Sequence, residues 1–356
     1  MAIGLDDVLT TKPAPAVDLP VVATGLPVVA TGLPAVAADL PAVAADLPAV
    51  GAEVPPAERR LDLPAAVQPL RIYWAYAIPL TLVHLLSLLA FVPWLFSWTG
   101  LVAAIVTHFL FGVLGITVGY HRLLTHQGFT CPKWLEHSLA IIGIFTLQDS
   151  PARWVAIHRM HHKESDHQPD PHSPLAGFFW GHMGWLYVGS RDHQNIYCFE
   201  RYVRDLFRDP FYFRLEKNVT WFGVYVAHAL AFAAVGGIIG WSTDGTAVEA
   251  GRMALSLLVW GVFVRTVFGL HHTWAVNSAS HLWGYRNYET ADNSRNNWIV
   301  SLLAHGEGWH NNHHADQRSA AHGHRWWEFD ISWWVIRGLE AVGLAKNVVR
   351  PRAWKA

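Results

Sequence analysis

The 356-residue chain contains little cysteine and little charge. Its two cysteines, Cys131 and Cys198, are too few for a disulfide framework or a thiolate metal cluster. Only 15% of its residues are charged, against roughly 25% in an average soluble domain. The net charge of −1 leaves no basic excess for a nucleic-acid partner. The composition therefore excludes disulfide-stabilised secreted mini-proteins, zinc fingers, iron–sulfur proteins and nucleic-acid-binding proteins.

Histidine and tryptophan are abundant instead, with 22 and 19 residues. The mean hydropathy is positive, at +0.20. Histidine is the commonest metal ligand among side chains, and tryptophan is enriched where a membrane meets water. The composition thus favours a membrane metalloprotein.

The first 70 residues differ from the rest of the chain. From Leu19 a seven-residue unit repeats five times, from LPVVATG to LPAVGAE, and each repeat carries one proline. Because proline removes a helical hydrogen bond, this heptad period does not indicate a coiled coil. We predict a disordered tail over 1–70, with no signal-peptide pattern, a membrane domain over 71–345, and a C-terminal tail over 346–356.

Four apolar segments reach the length of about 20 residues that crosses a bilayer. These segments are 77–96, 101–119, 220–241 and 253–275. The pattern predicts an all-α integral membrane protein with four transmembrane helices and a helical cap.

The basic residues predict the orientation of these helices. The 119–219 segment carries 11 Lys and Arg, and the chain after Asn277 carries 9. The connections on the other side carry none (97–100) and one (Arg252). Since Lys and Arg accumulate on the cytoplasmic side, we expect the cap and both termini to face the cytoplasm.

The predicted cytoplasmic segments contain three histidine boxes and one further pair. The motifs are HRLLTH, HRMHH, HNNHH and NSASH, which contain His121 and His126; His158, His161 and His162; His310, His313 and His314; and Asn277 and His281. On a helix, positions i, i+3 and i+4 share a face, so either HxxHH triplet can direct three imidazoles to one point. His121 and His126 are five apart, so either the helix unwinds there or the two rings serve different metals.

Eight or nine imidazoles are too many for one metal ion and suit two. Imidazole binds zinc, copper, iron and nickel, so the ligand type leaves the metal open. A redox di-metal centre for oxygen chemistry accounts for the number, and His305 is a further candidate. Neighbouring carboxylates are expected to accept the free imidazole N–H groups, and these are Glu164, Asp166, Asp170, Glu307 and Asp316.

The motifs GYHRLLTHQGF, HRMHHKESD, DPHSP, WGHMGW, NSASH and GEGWHNNHH resemble those of the membrane-bound fatty acid desaturases. The resemblance is to the delta-9 branch, which includes stearoyl-CoA desaturases and bacterial and cyanobacterial relatives. It covers about residues 75–330 and leaves out the repeat tail.

The resemblance implies two irons held by nine histidines, with Asn277 binding one iron through water. The implied ligands are His121, His126, His158, His161, His162, His281, His310, His313 and His314. It also implies an acyl tunnel bent at Gln148, Trp154 and Thr273, and no catalytic residue beyond the metal centre. The expected reaction uses O2 and two external electrons to form a cis double bond, which in this branch is at delta-9.

Some family features are missing from this chain. Positions that hold the CoA nucleotide in animal acyl-CoA desaturases are Ala156–Ile157 and Gly189–Ser190 here, so acyl-CoA and acyl-lipid substrates both stay open. No haem motif is fused, so a separate ferredoxin or cytochrome b5 is expected as donor. Two alternatives are a histidine-box hydroxylase of alkyl or acyl chains and a metal-transporting membrane protein.

Overall fold

Helices form the regular structure of residues 60–352, the part of the chain that this computed structural model describes. Four helices are long and apolar enough to cross a membrane, and we name them spans 1 to 4: Trp74–Phe91, Trp98–Thr125, Pro210–Asp244 and Ala247–Leu282. Within residues 60–352, extended pairing is limited to isolated bridges. The predicted all-α fold with four spans is therefore confirmed.

The spans differ in length from the apolar segments. Span 1 ends at Phe91, shortly before Pro93, although the predicted segment runs to 96. Spans 2 and 4 continue well beyond the predicted 119 and 275, so that the same helices carry His121 and His281. These two histidines were expected outside the spans. They lie on helical extensions because the polar residues there are buried by the cap instead of facing lipid.

Each span is built from shorter regular pieces. The α-helical pieces are Trp74–Ser87, Trp98–Phe111, Pro210–Glu216, Thr220–Asp244, Ala247–Leu258 and Arg265–Leu282, and the π-helical pieces are Gly112–Thr125 and Val259–Val264. The main helices of the cap are Lys133–Ile144, Pro151–Glu164, Trp298–Leu303, His310–Ala315 and Ile331–Ala341. We call Pro151–Glu164 the second-box helix and His310–Ala315 the third-box helix.

Side-chain caps set several helix starts. Ser97 Oγ accepts the Gly100 N–H at the start of span 2, and Thr246 accepts the Glu249 N–H at the start of span 4. Ser150 caps the second-box helix by accepting the Arg153 N–H at 3.1 Å, and Pro151 occupies its first turn. Such caps satisfy N–H groups that a helix leaves unpaired. They hold the helices that carry the histidines in register.

Spans 3 and 4 form a tightly packed hairpin. A Cβ added at Gly236 would lie 2.4 Å from the Met253 carbonyl oxygen, and one at Gly240 would lie 2.4 Å from the Glu249 carbonyl oxygen. Small residues four apart let membrane helices approach backbone to backbone. This contact joins the two helices on the side of the protein away from the histidine boxes.

The N-terminal boundary of the described body lies before residue 71. Of the predicted disordered tail, residues 1–59 lie outside the described residues, but 60–70 pack on the cap. Val67 is buried against Trp180 and Trp185, and the Leu61 N–H donates to the Leu175 carbonyl. This apolar contact makes the predicted boundary at 70 too late.

The predicted C-terminal tail is also part of the body as far as residue 352. Lys346 exchanges backbone hydrogen bonds with Thr130, and the Val349 N–H donates to the Gly128 carbonyl. The segment thereby covers the loop that follows the first histidine box. Residues 353–356 lie outside the described part of the chain.

Candidate metal centre

The first histidine box lies on the π-helix Gly112–Thr125, which continues span 2. The His126 N–H donates to the carbonyl of His121, five residues earlier, at 3.1 Å. Residues five apart on an α-helix point about 140° apart, but the wider π turn brings both rings to one side. Their centroids are 4.9 Å apart. The helix therefore unwinds at the box, and the two histidines belong to one group.

Nine histidines come together in two groups of possible metal ligands. The five-histidine group contains His121, His126, His158, His162 and His313, and the four-histidine group contains His161, His281, His310 and His314. Within each group the candidate ligand atoms lie within 4.8 Å of one another. Every member is buried except His162, which is partly exposed.

Each HxxHH triplet is divided between the two groups. The i and i+4 rings of the second-box helix, His158 and His162, join the five-histidine group, whereas His161 joins the other. The third-box helix does the reverse, with His313 alone in the five-histidine group. The expectation that one triplet directs three imidazoles to one point is therefore wrong. The i+3 position is rotated by about 60° from i and by about 100° from i+4, so it faces the neighbouring group.

Four carboxylates face the Nδ1 atoms of the histidine groups. The Nδ1–H of His121 donates to Glu307 at 2.5 Å, and that of His161 donates to Asp170 at 3.0 Å. His281 pairs with Asp166 at 2.7 Å and His314 with Asp292 at 2.9 Å. Such bonds hold the proton on Nδ1 and leave the Nε2 lone pair available for a metal.

The ring nitrogens of the four-histidine group fit a cation better than they fit one another. The Nε2 atom of His310 lies 3.0 Å from that of His281 and 3.1 Å from that of His314. His281 and His314 already donate from Nδ1, so both present lone pairs. A proton on His310 can point at only one of them, whereas a cation among the three nitrogens satisfies both contacts. Metal–nitrogen bonds of about 2.1 Å separate neighbouring ligand nitrogens by roughly 3.0–3.4 Å, which matches.

The five-histidine group shows the same close approach. The Nε2 atom of His313 lies 3.1 Å from that of His121 and 2.8 Å from that of His162, which in turn lies 3.0 Å from that of His158. Because the Nδ1 proton of His121 faces Glu307, its Nε2 also presents a lone pair. Both groups therefore fit a metal ion.

Burial and charge set protonation states that suit metal binding. Burial, reinforced by neighbouring imidazoles, lowers the pKa of His158 and His162 well below the ordinary histidine value. Burial raises the pKa of Asp166 and Asp292, but their paired imidazoles lower it more, so both carboxyls have a pKa below the ordinary value. Neutral imidazoles backed by charged carboxylates are the forms that bind a cation.

A cavity, partly open to the outside, adjoins the five-histidine group. Gln148, Trp154 and Thr273, predicted to shape an acyl tunnel, all line it, and the Gln148 Nε2–H donates to Thr273 Oγ1 at 3.0 Å. His158 and Asn277 line the same cavity, and the Trp154 ring stacks on His158 with centroids 5.0 Å apart. Apolar side chains from spans 1 and 4 and from the cap complete the wall.

The amino-acid sequence was compared with known protein families and with known proteins. Residues 96–344 match the family described as fatty acid desaturase. The chain is 42% identical to the sn-1 stearoyl-lipid 9-desaturase of Anabaena variabilis over 278 residues, which cover 78% of this chain and 94% of the relative. The chain belongs to the fatty acid desaturase family.

Other desaturases match over similar lengths. The sn-2 palmitoyl-lipid 9-desaturase of a Nostoc species is 41% identical over 78% of this chain and 90% of its own length. An acyl-CoA 5-desaturase of Anemone leveillei is 40% identical over 75% of this chain and 77% of its own length. The predicted acyl desaturase activity is thus confirmed, and the hydroxylase alternative is not favoured.

Two of the carboxylates predicted beside the boxes of this desaturase have other roles. Glu164 pairs with Lys163, and Asp316 pairs with Arg352. Asp292, which lies in the loop after span 4, takes the place beside His314. Its distance from every histidine box in sequence left no spacing signal by which to find it.

Sequence spacing does not indicate the positions of two further histidines. His305 lies outside both histidine groups, and its ring contacts His108 and Phe109 instead. His322, which no motif indicates, is buried with its ring 4.4 Å from that of His313, and its Nδ1 lies 3.3 Å from Glu307. Only the folding of the loop after the third box brings His322 beside His313 and Glu307.

Proposed function

We propose that this desaturase introduces a cis double bond at delta-9 of a saturated acyl chain in a membrane lipid, using O2 and two external electrons at a di-iron centre. The observation that carries the proposal is the pair of buried, carboxylate-backed histidine groups beside an apolar cavity. The delta-9 position is supported by the Anabaena and Nostoc relatives, whose names specify it.

The chemistry explains why the site uses metal ligands rather than acid–base residues. A methylene in an alkyl chain has no acidic proton, so paired carboxylates or a serine nucleophile would not attack it. Two bound irons would supply the activation of O2 that such a C–H bond requires. In the balanced reaction, O2 receives two electrons from a donor and two from the substrate. Two protons and the two hydrogens removed from the substrate then combine with the reduced oxygen as two water molecules.

The residues of the chain hold and orient the reactants. The nine Nε2-presenting imidazoles would hold the ions, and the carboxylates fix the imidazole rings. Asn277 would act through a water. We assign the bend of the acyl chain to Gln148, Thr273 and Trp154, since positioning one methylene pair against a buried site is the main task left to the protein.

No Lys or Arg of residues 60–352 lines the cavity, which supports a lipid-linked substrate over acyl-CoA. Ala156 and Ile157 are buried and apolar, and the Arg191 guanidinium donates to the Ala65 carbonyl. Arg153, on the cavity side of the second-box helix, is paired with Asp149 and Glu216. A polyphosphate carrier needs unpaired cations in fixed positions.

The orientation and the electron source complete the proposal. We assign the histidine boxes and both termini to the cytoplasmic side, on the distribution of Lys and Arg between the connections. The electrons would come from a separate protein of the ferredoxin or cytochrome b5 type.

Expression in a host that lacks the activity tests the proposal. The chain and candidate donors are produced together, and fatty acids are analysed by mass spectrometry with double-bond localisation. We expect a delta-9 monoene, enriched in glycerolipid over CoA, which disappears in the His161→Ala variant. A double bond at another position, a hydroxylated product or a product in the variant would contradict the corresponding part of the proposal.

A further inference from the structure

One side of the five-histidine group reaches the surface. His162 is the only partly exposed member of the nine, and His126 is the next most accessible at 9%. Both line the same open groove at the end of span 2, together with Thr125, Gln127, Arg159, Lys163, Asp205, Gln317 and Arg318. We call this surface the His126–His162 groove. The four-histidine group has no member on it.

The charged side chains of the groove give it a positive character. Three cations and one carboxylate line it, and that carboxylate is neutralised because Arg159 binds both oxygens of Asp205 at 2.8 and 2.9 Å. Lys163 is 64% exposed and makes only a surface pair with Glu164. Among residues 60–352, the Arg318 side chain has no ion pair. Lys163 and Arg318 thus remain available to a partner.

The same groove gives access to both histidine groups. The His162 ring lies 4.7 Å from that of His126 and 4.5 Å from that of His314, which belongs to the four-histidine group. A reductant bound over the groove would therefore contact the five-histidine group directly and be one ring away from the four-histidine group.

We propose that the His126–His162 groove is the docking site of an acidic one-electron carrier protein, and that electrons enter the centre there. This inference rests on the proposed function, which requires two external electrons. Each docked carrier would lose one electron, which the ions held by the histidine groups would accept, so two encounters would supply one reaction cycle. No bond forms or breaks in this step, and the positive rim of the groove steers the acidic carrier into place.

The test removes the two positive charges of the groove, at Lys163 and Arg318, and compares this variant with one that removes the charge of a matched lysine outside the groove. Lys133 is 65% exposed and pairs with Glu136, much as Lys163 pairs with Glu164, but it lies on the Lys133–Ile144 helix away from the groove. The variants of the full chain are Lys163→Gln with Arg318→Gln, and Lys133→Gln. Binding of a plant-type ferredoxin and of cytochrome b5 is measured in detergent at low and physiological salt. Turnover is driven either by the tighter carrier or by anaerobic reduction with stoichiometric dithionite followed by addition of O2.

We expect the groove variant to bind the carrier roughly tenfold more weakly at low salt and to lose much of the salt dependence. The ratio of carrier-driven to dithionite-driven turnover should fall in parallel, while Lys133→Gln retains the wild-type ratio. Unchanged carrier binding in the groove variant, equal weakening by Lys133→Gln, or no salt-dependent binding of either carrier would overturn the inference. If wild type forms no product even after reduction by dithionite, the proposed use of external electrons at a di-iron centre fails, which is a separate result.

Discussion

Adjacent histidines of the second box should control different metal ions. His161 belongs to the four-histidine group and His162 to the five-histidine group, although they are neighbours in sequence. We predict that His161→Ala and His162→Ala each lose one ion, and that the two ions differ. A local sequence motif acting as one ligand set would instead make the two variants equivalent.

The ligand numbers give the size of the effect. An apparent binding free energy of about 10–16 kcal/mol, as found for four-ligand zinc sites, amounts to about 2.5–4 kcal/mol per ligand. His161→Ala should therefore weaken its ion by roughly 10²- to 10³-fold. Spread over five ligands the share is about 2–3 kcal/mol, so His162→Ala should weaken the other ion by roughly 30- to 200-fold.

Double variants measure this division directly. His281 shares the four-histidine group with His161, so the His161→Ala, His281→Ala double variant should still retain one ion after dialysis against a limiting chelator. The His162→Ala, His281→Ala double variant should retain none, since it removes one ligand from each group. Metal content per chain is measured by mass spectrometry. Equal metal content in the two double variants would refute the assignment of ligands to two groups.

Three further predictions concern other parts of the structure. His322→Gln should weaken Co²⁺ binding by about 10- to 100-fold relative to wild type. His322→Asn should bind Co²⁺ nearly as well as wild type, because its amide N–H lies near the position of Nδ1 and can face Glu307. Equal Co²⁺ titrations of both variants would argue against this positioning role. Gly236→Val should lower the melting temperature in detergent while Gly237→Val does not, because a Cβ at Gly237 meets nothing closer than 3.8 Å; equal melting would contradict the close contact. Burial lowers the pKa of His305 from 6.5 to about 3, so below pH 6.5 the unfolded chain binds more protons and stability falls as the pH drops, by up to about 1.4 kcal/mol per pH unit. His305→Asn, which suits the backbone φ of 60° there, should flatten that slope in pH-dependent melting curves, and an unchanged slope would count against it.

The amino-acid sequence alone was sufficient for the class of protein and for the nine histidines. Bilayer thickness requires apolar runs of about 20 residues, and metal binding requires imidazoles at helical spacing, so both leave local patterns. The histidine boxes, the four spans and the positions Gln148, Trp154 and Thr273 could be found in this way or by resemblance. Their local chemistry does not depend on how the rest of the chain folds.

Tertiary structure decided which histidines come together in one group and which carboxylates support them. The π-helical turn at His121 depends on how span 2 packs into the cap, and no spacing rule distinguishes it from an ordinary helix. The division of each HxxHH triplet follows from two helices that meet face to face, so that the i+3 ring of each turns toward the group of the other. Asp292, His322 and the His126–His162 groove arise from loops that return to the centre over long sequence separations, and such contacts leave no periodic signal.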